Sequence, residues 1–193
     1  MKILSVVGNR LDFIKANCIS KELKKYKILK EIIVNTGKKF DANKKKSLRN
    51  KEIISYPKYN LNEKELKNNL IFFQIIIKLE KVILKENPKW IIIFGDTNST
   101  LAGAIVANKL KKKLAYVDAG IRSNNKNIPE EINRIIIDRL SNLLFCSEEL
   151  NKQNLILENF DNRHYKVVIV GNLMNKKSIG FSSKIIKEII RYK

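Results

Sequence analysis

The sequence has few of the residues on which secreted and metal-dependent folds rely. Among 193 residues there are two cysteines, Cys18 and Cys146, and a single histidine. No Cys-x-x-Cys pair and no Cys/His cluster occurs, which argues against a disulfide framework and against a zinc site. We therefore predict no metal centre. Both cysteines are interpreted as small buried apolar residues, since each lies in an otherwise apolar stretch.

Glycine, proline and long apolar runs are also scarce. Seven glycines and three prolines are too few for a Pro/Gly-rich linker. No run approaches the roughly 20 apolar residues of a membrane-spanning helix. The apolar start at Met1–Val7 is too short for a signal-peptide core. We expect a cytoplasmic protein with no membrane partner.

Acidic residues are outnumbered, because 39 lysines and arginines stand against 19 aspartates and glutamates, a formal net charge of +20. Such a charge is compatible with a nucleic-acid partner. The lysines are, however, spread along the whole chain, and no aromatic RNA-binding signature, basic zipper or zinc finger accompanies them. We interpret the charge as a general composition bias and keep nucleic-acid binding as an alternative.

Hydrophobic residues make up 44% of the chain and form short apolar runs that alternate with longer helical patterns. The predicted strands are Lys2–Val7, Leu29–Asn35, Trp90–Phe94, Leu114–Val117, Leu143–Cys146 and Lys166–Val170. The predicted helices are Leu11–Lys24, Leu61–Glu86, Thr97–Leu110, Pro129–Ser141, Glu148–Glu158, and Ser182 or Ser183 to Arg191. Thr36–Tyr59 is Lys-rich and aperiodic, which predicts a loop with short helical pieces. The alternation predicts an α/β fold with a doubly wound parallel sheet.

Polar side chains follow several of the predicted strands, at the edge where open parallel sheets bind ligands. They are Arg10 after the first strand, Asp96 after the third, Asp118 and Arg122 after the fourth, and Asn172 after the last. Two carboxylates and two arginines thus converge, which predicts a site. Taken singly, each group is equally compatible with a turn, a helix cap or a local ion pair.

The helix predicted from Pro129 adds further charges. Glu130 and Arg134 are four residues apart and share a face, as do Arg134 and Asp138. This spacing is compatible with a surface ion-pair ladder as well as with a site. No G-x-G-x-x-G fingerprint and no Walker motif is present, so we predict no cofactor.

Seven segments of the chain, taken in order, resemble a single family. They are VVGNRLDFIKA (Val6–Ala16), VNTGKKFD (Val34–Asp41), FGDTNSTLAG (Phe94–Gly103), VDAGIRS (Val117–Ser123), PEEINR (Pro129–Arg134) with Asp138, LLFCSEE (Leu143–Glu149) and VGN (Val170–Asn172). The chain resembles the N-terminal half of the UDP-N-acetylglucosamine 2-epimerases. This resemblance implies one Rossmann-like half of a two-domain, GT-B-type fold, with the active site in the cleft between the domains.

The resemblance implies a domain over residues 1–180, and a C-terminal helix over 181–193 where the family's second domain would begin. It implies that UDP is eliminated from the sugar and added back to the other face. The residues implied as acid and base are Asp96, Asp118 and Glu130. Those implied to bind substrate are Arg10, Lys15, Arg122, Arg134 and Asn172. The implied partners are a UDP-sugar, a separate C-terminal half and a second copy of the chain.

This chain departs from the family's pattern at several positions. Asp118 stands where the family has a glutamate, which withdraws the carboxylate by about 1.5 Å. The family's Thr-Gly-Gln-His reads Thr36-Gly37-Lys38-Lys39, without the histidine, and His164 matches no family site. The alternatives to an epimerase half are therefore a non-catalytic remnant or sugar-nucleotide binding module, and half of a two-subunit glycosyltransferase.

Overall fold

The computed structural model describes residues 1–37, 56–61, 68–160, 165–175 and 178–192. Seven strands and six helices lie within them. The strands are β1 (Lys2–Val7), β2 (Lys30–Asn35), β3 (Tyr59–Asn60), β4 (Trp90–Phe94), β5 (Lys113–Val117), β6 (Leu143–Cys146) and β7 (Lys166–Ile169). The helices are α1 (Arg10–Leu23), α2 (Asn68–Glu86), α3 (Asn98–Lys109), α4 (Pro129–Leu140), α5 (Glu149–Leu157) and α6 (Ser178–Arg191).

All seven strands form one parallel sheet in the order β3-β2-β1-β4-β5-β6-β7. The chain builds outward from β1 to β3 on one side and from β4 to β7 on the other. The strand order therefore reverses between β1 and β4. The loops that follow these two strands flank the crevice in which doubly wound sheets bind ligands.

Both faces of the sheet are buried under helices, and the sequence of β4 is accordingly apolar at every position. Ile91 and Ile93 pack in one core together with side chains of α2, α3, α4 and α5. Trp90, Ile92 and Phe94 pack in the other core with α1 and α6. Because neither face of β4 meets solvent, the strand is a continuous apolar run rather than an alternating one.

Local sequence fixes where the helices next to the crevice begin. The Asn9 side chain accepts a hydrogen bond from the Asp12 N–H at 2.9 Å, and the Asp12 carboxylate accepts one from the Asn9 N–H, so that the two residues form a capping box for α1. Thr97 caps α3 by accepting from the Thr100 N–H at 3.3 Å. Both helices thus start directly after β1 and β4.

The predicted doubly wound parallel sheet is confirmed, and β3, α2 and α6 differ from the sequence prediction. β3 consists of Tyr59, the last residue of the stretch predicted as a loop, and Asn60, and two residues are too short a run to give a strand pattern. Leu61, predicted as the first residue of a helix, lies outside α2 and donates its backbone N–H to the Asn35 carbonyl. α6 begins at Ser178 rather than at Ser182 or Ser183. The predicted domain boundary at residue 181 falls inside α6, whose Ile185 and Ile189 are buried in the same core as α1, and the boundary stays a prediction. Lys38–Asp41 and His164 lie outside the described residues.

We predict that truncation of a β4 side chain destabilises the protein far more than the same truncation at the surface. Ile92→Ala should lower the free energy of unfolding by about 2–5 kcal/mol, because Ile92 is fully buried and the surrounding sheet can collapse only partly onto the cavity. The matched control is Ile28→Ala, at a position that is 75% exposed, where we expect a change within about 0.5 kcal/mol. Urea denaturation of both variants checks this, and equal losses at the two sites would contradict the assigned core.

Candidate functional site

The loops after β1 and β4 pack closely at the point where the strand order reverses. A Cβ on Gly8 would lie 2.6 Å from the Cβ of Ser99 in α3, so only glycine lets the loop after β1 approach this helix. Gly95, directly after β4, has φ +66°, a left-handed conformation that favours glycine. These two glycines bring Arg10 and Asp96 to the same edge of the sheet.

Asp96 is held by helix α4 through both its side chain and its backbone. The Arg134 guanidinium lies 2.5 Å from the Asp96 carboxylate, and the Asn133 side chain donates a hydrogen bond to the Asp96 carbonyl at 2.9 Å. Asn133 also donates to the Asn98 side chain at 3.1 Å. The carboxylate keeps about a third of its surface open, since its side chain is 34% exposed. It is therefore fixed in place yet accessible to a ligand.

Glu131, which was not among the residues predicted from sequence, fixes Arg134 from the other side. Its carboxylate accepts hydrogen bonds from the Nε and Nη2 atoms of Arg134 at 3.0 and 2.8 Å. It also accepts hydrogen bonds from the backbone N–H groups of Ser123 and Asn124. Burial alone would raise the pKa of Glu131, but these hydrogen bonds outweigh it and lower the pKa to about 2. Arg134 thus pairs with Glu131 three residues away.

Asp118 at the end of β5 forms the second carboxylate–cation pair. Its carboxylate lies 2.5 Å from the Lys15 ammonium on α1, and both side chains are mostly buried. The backbone of Asp118 is left-handed, with φ +76°. Because α1 follows β1, this ion pair connects the β5 edge to the crevice between β1 and β4.

Arg122 lies in a buried ionic cluster. Its Nε and Nη2 atoms donate hydrogen bonds to the Glu158 carboxylate at 2.6 and 2.8 Å. Its Nη2 atom also lies 2.8 Å from the Asp138 carboxylate, and its Nη1 atom donates to the Ile121 carbonyl. The Arg122 side chain is only 4% exposed. These contacts do not favour its predicted role in binding substrate, which stays a prediction.

The three remaining predicted residues lie at the surface. Arg10 is the exposed first residue of α1, and Glu130 is exposed in the first turn of α4. Asn172, exposed after β7, accepts a hydrogen bond from the Met174 N–H at 2.8 Å. The structure therefore pairs Asp96 with Arg134 and Asp118 with Lys15, whereas Arg122 and Asn172 contact other groups.

Asp12 is a second buried carboxylate at the crevice that sequence reasoning did not assign to the site. One of its oxygens accepts the N–H groups of Gly8 and Asn9 at 3.1 and 3.2 Å, and its side chain is almost fully buried. Burial raises the pKa of Asp12 to about 6, partly offset by the Gly8 hydrogen bond and the Lys15 charge. The Asn-x-x-Asp spacing of the capping box was the sequence signal for it.

Two kinds of feature are absent from the described residues. Among the described residues, no group of three or more His, Cys, Asp or Glu side chains is arranged to hold a metal ion. None of the helices in the described part of the chain combines the length and the apolarity that a membrane crossing requires.

The class of protein follows from this geometry: an α/β domain that presents paired carboxylates and cations at the switch point of a doubly wound sheet. A family model for UDP-N-acetylglucosamine 2-epimerase matches residues 21–192. A protein of Pseudomonas aeruginosa named UDP-2,3-diacetamido-2,3-dideoxy-D-glucuronate 2-epimerase is 41% identical over 95% of this chain and 52% of its own. The UDP-N-acetylglucosamine 2-epimerase of Methanocaldococcus jannaschii is 40% identical over 89% of this chain and 46% of its own. The chain belongs to the UDP-N-acetylglucosamine 2-epimerase family.

A solved structure agrees with this assignment. The Methanocaldococcus jannaschii enzyme in complex with UDP-GlcNAc and UDP matches with a TM-score of 0.79 and 36% identity, over 90% of this chain and 47% of that one. The chain spans about half the length of the curated relatives it matches.

We predict that Asp12 makes the stability of the domain depend on pH. A pKa raised from 3.8 to about 6 means that the folded state binds the proton more tightly than the unfolded state does, so stability falls as pH rises from about 4 to about 6. Asp12→Asn, which cannot titrate, should remove this loss of at most roughly 3 kcal/mol.

Urea unfolding at several pH values between 4 and 7 measures the effect. The control variant Glu149→Gln alters an exposed carboxylate whose lysine partner is 3.9 Å away, and it should follow the parent protein across this range. An Asp12→Asn variant that tracks the parent protein at every pH would contradict the shifted pKa.

Proposed function

We propose that this chain provides the proton-transfer half of a UDP-N-acetylglucosamine 2-epimerase, which interconverts UDP-GlcNAc and UDP-ManNAc. The observation that carries the proposal is the pair of carboxylates after two neighbouring strands, each in contact with a cation: Asp96 with Arg134 and Asp118 with Lys15. In a member of this family, the reaction requires carboxylates that move a proton and cations that bind the diphosphate, and these two pairs contain both kinds of group.

Inversion at carbon 2 of an N-acetyl sugar needs an indirect reaction route, because no neighbouring carbonyl acidifies the proton on that carbon. Elimination provides one: a base takes the carbon 2 proton, the bond from carbon 1 to the UDP oxygen breaks, and a double bond forms between carbons 1 and 2. Re-addition of UDP, with protonation of carbon 2 from the opposite face, completes the inversion. Positioned carboxylates move the proton, and cations stabilise the departing diphosphate.

The proposed roles follow from where each side chain lies. Asp96 and Asp118 are fixed but partly accessible, and Glu130 is exposed at the first turn of α4, so these three are the candidate acids and bases. Lys15 and Arg134 are the candidate cations for the diphosphate. Both cations are bound to carboxylates in this structure, and an incoming diphosphate would compete with those carboxylates for them.

Other predicted contacts with substrate have a weaker structural basis. Arg10 is exposed after β1 and Asn172 after β7, so both can reach a ligand above the sheet edge. Arg122 would first have to leave Asp138 and Glu158. We retain Arg10 and Asn172 as candidate contacts of the UDP-sugar.

A second protein half is part of the proposal, because the chain spans only about half of its relatives' length. The partner half, on the same or on a separate polypeptide, would close the cleft over the sheet edge and supply the remaining contacts to UDP. We further propose that the complete enzyme works in the cytoplasm and supplies a sugar nucleotide for cell-surface polysaccharide.

A second candidate substrate is UDP-2,3-diacetamido-2,3-dideoxy-D-glucuronate. The observation in its favour is the 41% identity to the Pseudomonas aeruginosa protein named for that substrate, over 95% of this chain. Both candidates are UDP-sugars with an acetamido group on carbon 2, so the same carboxylates and cations would serve either reaction.

We predict that a chimera in which this chain replaces the corresponding half of the Methanocaldococcus jannaschii enzyme will interconvert UDP-GlcNAc and UDP-ManNAc. Asp96→Asn and Asp118→Asn in the chimera should each lower kcat by about 10²–10⁴-fold, because each removes a group that moves a proton. Glu149→Gln is the matched control on the exposed start of α5 and should leave kcat unchanged. Proton NMR of the sugar anomeric signals measures both epimers.

Three outcomes separate the candidates. Turnover of UDP-GlcNAc supports the first substrate, and exclusive turnover of the diacetamido uronate supports the second. A folded chimera that binds UDP but turns over neither sugar would contradict an enzymatic role and favour a non-catalytic binding module.

We also propose, on the family resemblance, that the complete protein is a homodimer. Helix α2 offers a surface suited to this, because Leu70, Phe73, Ile77 and Leu84 are each more than half exposed and recur on one helical face. Phe73→Lys should convert the dimer to a monomer in sedimentation equilibrium, whereas Leu157→Lys, at an exposed apolar position on α5, should not. A monomeric parent protein would contradict the proposal.

A further inference from the structure

The turn after β5 holds two residues in the left-handed region of φ. Asp118 has φ +76° and Gly120 has φ +77°. The left-handed conformation costs a non-glycine residue about 1–2 kcal/mol, although aspartate tolerates it better than most. The turn therefore needs contacts from the surrounding structure that outweigh this cost.

Asp138 on α4 supplies two of these contacts from inside the fold. One of its carboxylate oxygens accepts a hydrogen bond from the Gly120 N–H at 3.3 Å, and the other oxygen lies 2.8 Å from the Nη2 atom of the Arg122 guanidinium. Asp138 is fully buried. Asp138 therefore links the Gly120 backbone to the Arg122 side chain.

Helix α5 holds the same turn from its other side. The Asn154 side chain donates to the Gly120 carbonyl at 2.9 Å, and Glu158 forms an ion pair with Arg122. A Cβ on Gly120 would overlap the carbonyl oxygen of Asn151, so the turn sits directly against α5. Of the carboxylates that hold the turn, Asp138 binds its backbone, whereas Glu158 reaches it only through the Arg122 side chain.

We propose that Asp138 is a positioning residue that fixes the backbone of the turn so that the Asp118 carboxylate meets Lys15 and faces the crevice. With the Gly120 N–H and Arg122 held, Asp118 keeps its left-handed φ, and its side chain lies 2.5 Å from the Lys15 ammonium. Release of the turn would let Asp118 relax to an ordinary φ, which would redirect its Cβ and carboxylate. The inference rests on the proposed function only in that Asp118 is treated as a reactive group.

The charge of Asp138 depends on the same cluster. Burial raises its pKa, and the adjacent Arg122 guanidinium opposes that increase. The Gly120 N–H also favours the ionised form, whereas the charge of Glu158 opposes it. Burial outweighs the contacts that favour the ionised form, and the pKa of Asp138 is raised to about 7.

Asp138→Asn is the variant that tests this proposal. Asparagine has one acceptor oxygen and can satisfy either the Gly120 N–H or Arg122, but not both. We expect the three-bond coupling between HN and Hα of Asp118, which reports its φ, to move away from the left-handed value. Amide hydrogen exchange at Gly120 should become about tenfold faster, as expected for one weakened hydrogen bond.

Glu158→Gln is the matched control, because it removes the same charge from the same arginine without touching the backbone of the turn. It should lower stability while leaving the Asp118 coupling and the Gly120 exchange rate unchanged. A folded Asp138→Asn protein with both signals unchanged would overturn the proposal, and so would a Glu158→Gln protein in which both change equally.

A measurement on the unaltered chain keeps the proposal falsifiable if Asp138→Asn does not fold. The Gly120 amide should exchange as slowly as the amides of the central strands, because its acceptor is a buried carboxylate. Exchange at the rate of an exposed loop would contradict the proposal. None of these signals requires substrate, so failure here is distinguishable from failure of the proposed epimerase activity.

Discussion

The polar face of helix α4 is the constraint on which the arrangement of the site depends. From one helix, Asn133 and Arg134 hold the loop after β4, while Glu131 and Asp138 hold the segment after β5. Buried charges are tolerated only when they are paired and hydrogen-bonded, so these side chains have few alternative arrangements. The helix thereby sets the position of Asp96 and of the Asp118 turn relative to one another.

In this structure the two fixed carboxylates are neutralised by the cations beside them. In the proposed reaction, the diphosphate carries more negative charge than a single carboxylate and would compete for the same cations. Arg134 is shared between Asp96 and Glu131, whereas Lys15 lies beside Asp118. In the proposed enzyme, a second half that closes the cleft would exclude water, which strengthens every charge interaction at the reacting centre.

The strands and most helices could be predicted from the sequence because their signals are local. A continuous apolar run such as Trp90–Phe94 can be stable only if it is buried on both faces, and the Asn-x-x-Asp and Pro signals mark where helices begin. β3 was missed because two residues carry no periodicity. The convergence of charged residues after the strands was also predictable, since the carboxyl ends of parallel strands share one edge.

The sequence by itself determined the family, the order of the elements other than β3, and several of the charged residues that gather at the sheet edge, because each rests on residue identity and short-range spacing. Only the tertiary structure decided which charges pair. Arg134 meets Asp96, 38 residues away, and Lys15 meets Asp118, 103 residues away. Arg122, which follows the same strand as Asp118, lies in a buried cluster with Asp138 and Glu158 instead. Such contacts depend on the strand order and on which helix covers each loop, and no local pattern in the chain encodes either.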